Sequence, residues 1–157
     1  MRGLVGDLRN DPTKLRARGR AALATLASQP QVDAGKLCAI GFCFELARDG
    51  ADLKAVVSFH GVLATKAPAL PGKVRASVLV LTGADDPLAP PDHVAAFENE
   101  MRAADVRDWQ VITYGNTQHA FTNPTADGSI LSGTLYNEQS DHRSWAAMKN
   151  FLEEAIR

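Results

Sequence analysis

Cys43, the pair Asp85-Asp86 and His119 stand in that chain order, each just past a short apolar run. A thiol, an acid and an imidazole are the three groups that nucleophilic catalysis at a carbonyl needs. A thiol with a pKa near about 8.5 is only slightly ionised at neutral pH, and a neighbouring imidazole or helix N-terminus lowers that value. An acid on the far imidazole nitrogen fixes the tautomer and supports the imidazolium that forms. The first backbone N–H groups after a nucleophile point to where an acyl oxygen becomes negative. Each residue also has a plainer reading. A cysteine in an apolar strand is usually a small core hydrophobe, and Cys38 is read that way. An Asp before a proline is usually a turn former, and a loop histidine is usually solvated. The case for chemistry rests on all three together.

The elements that must position them follow from pattern. Asp11-Pro12 opens a helix with Asp11 as N-cap and Pro12 at the first position, and Leu15, Ala22, Leu23 and Leu26 recur at helical spacing until Gln29-Pro30 stops it. Residues 36–43 form an apolar run, expected as a strand buried on both faces. A short stub, Phe44 to Asp49, ends at Gly50. Residues 53–59, 76–82 and 109–114 make three further strands. A helix over 92–104 takes Asp92 as its cap, and a last helix is capped by Asp141 with Trp145, Met148, Phe151, Leu152 and Ile156 on its apolar face. Strands alternating with helices predict a parallel sheet of about four strands flanked by helices. In such sheets chemistry gathers at the strands' carboxyl ends, where Cys43, His60, Asp85-Asp86 and His119 all fall. His60 has no acid motif beside it and is read as structural or pocket-lining. The basic cluster Lys14, Arg16, Arg18 and Arg20 is read as a solvated helix face, and Trp109 and Trp145 as core.

Four segments carry a resemblance: Ala39-Ile40-Gly41-Phe42-Cys43-Phe44, Ser58-Phe59-His60-Gly61, Gly83-Ala84-Asp85-Asp86-Pro87 and His119-Ala120-Phe121-Thr122. Together they resemble the dienelactone hydrolases, from about Leu15 to the C-terminus. The Cys-centred turn is the most specific, since most related hydrolases carry Ser there. The resemblance implies a partial α/β-hydrolase fold with Cys43 as nucleophile, Asp86 as acid and His119 as base. Asp86 is taken over Asp85 because the family's acid lies three residues after a glycine and four before a proline, as Asp86 does from Gly83 and Pro90. The implied reaction opens a lactone or small carboxylic ester through a thioester to Cys43, with the Phe44 backbone N–H donating to the oxyanion. No cofactor or metal is expected, and no Cys/His spacing or Gly-rich loop matches a metal site or phosphate cradle.

Two features depart from the family pattern. The family turn reads Gly-x-Cys-x-Gly-Gly and leads into a helix of several turns, whereas Glu45 stands two residues after Cys43 and Gly50 follows soon after. A glutamate there is expected to clash or to open the turn. The related enzymes also have further strands before the first helix, so the strand at 36–43 is expected as an edge with unpaired backbone groups that invites oligomerisation (a homo-oligomer through that edge), strand exchange or poor solubility. A competing reading follows: a truncated hydrolase-like domain acting only as a structural or binding module. A third reading, Asp85-Asp86 as the acidic pair of a phospho-receiver domain, lacks the partner Asp and Lys at the other strand ends.

The length of 157 residues fits one domain over 1–157. Seventeen Lys+Arg against eighteen Asp+Glu give a net charge of −1, which argues against nucleic-acid or membrane-surface partners; the small-molecule ester or lactone partner is what the resemblance implies. With no spanning apolar run, no signal-peptide core at the start and only two cysteines, a reducing cytoplasm is the expected compartment.

Overall fold

The computed structural model describes residues 11–41 and 44–157. Helix α1 (Pro12–Ala27) starts where Asp11 accepts a hydrogen bond from the Lys14 N–H. A single 3-10 turn, Ala34–Lys36, then leads into β1 (Cys38–Gly41). Helix α2 (Glu45–Arg48) and strand β2 (Ala55–Phe59) follow. After them come β3 (Ser77–Gly83), α3 (Pro91–Ala103), β4 (Trp109–Tyr114) and α4 (Glu138–Ala155). Helix α2 is stopped by Gly50, whose φ is +74° and whose N–H returns to the Ala47 carbonyl, the left-handed stop that glycine supplies without strain.

The four strands form one parallel sheet in the order β1-β2-β3-β4. The chain belongs to the α/β class, as the alternation predicts. Strands added one after another in one direction by right-handed crossovers send their connecting helices to one face. That face holds Ala47 of α2 and Phe97 and Met101 of α3 against Val56, Val78 and Val80. The alternate residues, Ala55, Val57, Phe59, Leu79 and Leu81, face Met148 and Phe151 of α4. Two cores on opposite faces therefore follow from the two-residue period of the central strands.

Local expectations are corrected at the periphery. Strand β1 is not buried on both faces: Ile40 is 56% exposed, because β1 is an edge of the described sheet, paired only with β2. Asp92 does not cap α3; Pro90 holds that place without a side-chain bond, and Asp92 lies in the first turn, where a carboxylate still suits the helix dipole. Asn137, not Asp141, caps α4, its Oδ1 accepting from the Ser140 N–H. The buried stripe of α4 runs Ser140, Ser144, Met148 and Phe151. Trp145 lies one residue off it and is 51% exposed, with its ring only tilted against Phe59. Two small serines hide the true stripe from a reading that follows apolar residues.

Candidate active site

All four strands point the same way, so their carboxyl ends share one edge of the sheet. Strand β3 ends at Gly83 and turns through Asp85 and Asp86. The structure separates the two acids: Asp85 is exposed, while Asp86 is 2% exposed. One oxygen of Asp86 accepts from the Leu88 N–H at 2.8 Å, and the other lies 2.9 Å from Nδ1 of His119. A buried carboxylate against an imidazole Nδ1 fixes which ring nitrogen carries hydrogen and leaves Nε2 for proton transfer.

His119 reaches this position by a specific route. After β4 the chain folds back over the end of β3, with the Thr117 carbonyl accepting from the Asp85 N–H at 3.0 Å. Gly83 permits the crossing, since a Cβ there would lie 2.2 Å from the Thr117 oxygen. The Thr117 and Ser140 hydroxyls, both buried, bond to each other at 2.7 Å and tie the crossing to the start of α4. The His119 N–H donates to the Gly133 carbonyl, and its own carbonyl accepts from the Leu135 N–H. The ring thereby leaves β4, passes β3 and lies over the end of β2, where its centroid is 5.1 Å from that of His60. Strand β2 is the direct neighbour of β1, with Ser58 paired to Gly41. The acid and the imidazole are thus assembled one strand from the end of β1. Thr117 and Ser140 are structural supports of the candidate site that sequence reasoning misses; small hydroxyl residues give no signal until a fold brings them together.

Cys43, the sequence candidate for nucleophile, lies outside the described residues, as does Phe42. Phe44 is described: its ring is buried edge-on against Phe97, at the head of α2. Cys38 is half-buried against the α4-side core, and burial raises its thiol pKa. That suits the core role expected of it.

His60, read from the sequence as structural or pocket-lining, is buried at 5% exposure beside His119. Its Nε2 lies 2.8 Å from the Thr122 hydroxyl, and its ring also meets Phe121 edge to face. Burial first, then the neighbouring His119, push its pKa down to about 4 against an opposing pull from Asp86. It is therefore neutral at neutral pH.

Glu45, expected to clash or to open a turn whose residues 42 and 43 lie outside the described residues, is held by polar partners. Its carboxylate takes Arg16 from α1 through Nε and Nη2, Arg48 at 2.9 Å, and the Thr65 hydroxyl. Arg48 is 3% exposed and also forks onto both oxygens of Glu100, with a further bond to the Leu63 carbonyl. Arg20 pairs with Asp49. The basic face of α1 is therefore not simply solvated, since two of its arginines clamp the short helix that starts after position 43. These ties supply the tertiary support that four helical residues need. Removing the cation leaves Glu100 without its charged partner at a largely buried junction, while Glu45 keeps Arg16. Arg48→Met is expected to destabilise the fold by about 3–5 kcal/mol, read as a lowered urea midpoint at unchanged slope.

Comparison with known proteins bears on the fold and the family. Residues 4–156 match the model of the dienelactone hydrolase family. An uncharacterized protein of Caenorhabditis elegans is 39% identical over 152 residues, covering 91% of this chain and 95% of that one. The solved structure named m3DLH is 44% identical with a TM-score of 0.88, covering 99% of this chain and 67% of its own. A dienelactone hydrolase-like promiscuous phosphotriesterase from metagenomic libraries is 41% identical with the same TM-score and the same coverage. This chain thus spans about two thirds of the length of those solved chains. The match along nearly its whole length, on a parallel sheet with an acid–imidazole pair at its carboxyl edge, makes the chain a member of the dienelactone hydrolase family.

Proposed function

We propose that the chain hydrolyses a lactone or small carboxylic ester through a thioester on Cys43. The sulfur attacks the carbonyl carbon as its proton passes to Nε2 of His119, with Asp86 holding the ring and supporting the imidazolium. The Phe44 backbone N–H donates to the oxyanion. Collapse expels the alkoxide, which takes the proton from His119. Water, deprotonated by the same nitrogen, then releases the acid and restores the thiol. For a lactone, alcohol and acid leave as one hydroxy acid. The carrying observation is the 2.9 Å contact between buried Asp86 and His119 at the sheet edge to which β1 delivers the chain.

That contact also weighs against a purely structural domain. A buried carboxylate joined to an imidazole that is reached only through a tight backbone crossing is a costly feature for a module with no chemistry to perform. The thioester is directly observable. Acid quenching after mixing with a small activated ester is expected to leave one acyl mass on the peptide carrying Cys43. Turnover with no adduct, under conditions where deacylation is rate-limiting, would exclude the thioester.

A further inference from the structure

The end of β2 carries a second imidazole beside the first, in a conformation that a lining residue does not need. His60 has a φ of 34°, in the left-handed region that residues other than glycine enter only under strain. Its N–H donates to the Leu81 carbonyl at 2.8 Å, which fixes the turn on the neighbouring strand β3. From there the side chain reaches the 119–122 turn at two points, the Thr122 hydroxyl and the His119 ring. Ala120, between them, is itself left-handed with a φ of 58°. A turn with a strained residue in its middle holds one shape only when both flanks are fixed. Asp86 fixes the ring at one flank and His60 grips the other.

We propose that His60 is a positioning residue for His119: the Nε2–Thr122 bond and the ring contact lock the 119–122 turn, so that the imidazole keeps one orientation through the reaction. This rests on the hydrolase reading above and extends it to a residue outside the acid–imidazole–thiol set. Neutrality of the second ring suits the role. A neutral neighbour leaves the catalytic imidazole as the member of the pair that gains the proton, whereas a charged one would oppose the imidazolium. Among the described residues, His119 and Asp86 bear on His60 electrostatically, and Thr122 and Phe121 touch it.

Thr122→Val removes the hydroxyl while keeping the shape, and Thr122→Ser restores it. With a small activated ester, and with rates normalised to folded protein, Thr122→Val is expected to lose about 10- to 100-fold in kcat at nearly unchanged KM. Thr122→Ser should recover most of that loss. His60→Phe, which keeps a ring but not the bond, should lose a similar factor, and the double variant should be no slower than the worse single one. A structural role alone would lower the folded fraction and leave the rate per folded molecule intact. Full normalised activity in Thr122→Val overturns the inference, as does additive loss in the double variant. The two readings fail separately: activity surviving in Cys43→Ala refutes the thiol mechanism, whereas an inactive Cys43→Ala beside a fully active Thr122→Val refutes the role of His60 alone.

Discussion

Cys43→Ala is expected to reduce hydrolysis of a small activated ester to the buffer rate. In enzymes of this logic, losing the nucleophile costs on the order of 10^6-fold in kcat, and at about 1.36 kcal/mol per tenfold this exceeds the effect expected of any other substitution at the site. The reason is compositional. Removing the sulfur leaves an imidazole held by Asp86, a base with nothing to deprotonate but water. A water route would retain a measurable, His119-dependent rate in Cys43→Ala. Finding one would reassign the acid–imidazole pair as a general base acting on water and remove the thioester from the mechanism. Cys43→Ser sharpens the test, because a hydroxyl keeps the geometry but is scarcely ionised near neutrality. It is expected to fall well below wild type while still forming an acyl adduct. Unchanged urea midpoints in both variants would confine the effect to chemistry.

Much of this architecture is legible in the chain because burial writes itself in periodicity. Strands β2 and β3 alternate between two cores, and a continuous apolar run is the mark of a strand covered on both faces. Strand β1 has the same composition and a different environment. Its run of apolar residues records its chemistry, not its neighbours, and Ile40 faces outward at the sheet edge. The acid and the imidazole are legible as strand-end residues, and the choice of Asp86 over Asp85 agrees with their opposite burial. The supports are not. Glu45 reads as an obstruction because one of its partners, Arg16, lies on another helix twenty-nine positions away; the i,i+3 spacing to Arg48 is a local signal, but nothing in spacing predicts that the carboxylate is shared with Arg16. The grip of His60 on Thr122 spans sixty-two positions of sequence and has no local signature. Long-range polar contacts depend on detailed backbone paths, such as the crossing over Gly83, which hydropathy does not encode.

Asp86→Asn tests the imidazole's support rather than the nucleophile. The amide is nearly isosteric, and its oxygen can still accept from the Leu88 N–H, so the turn after β3 should hold. What changes is the face toward His119. A carboxylate accepts from Nδ1–H and supports the imidazolium, whereas an amide supplies no charge and can present N–H instead, which favours the tautomer with hydrogen on Nε2. That tautomer cannot take the thiol's proton. A fall in kcat of about 10^3–10^4-fold is expected, equivalent to about 4–5.5 kcal/mol of lost transition-state stabilisation. KM should change little, because the buried carboxylate is not aimed at substrate. Asp85→Asn is the matched control: that side chain is exposed, and its substitution should leave the rate within about twofold. Equal losses in the two variants would mean that general charge at the strand end matters and that the 2.9 Å contact does not. A large loss confined to Asp86 would tie the rate to the one carboxylate that the fold buries against the imidazole.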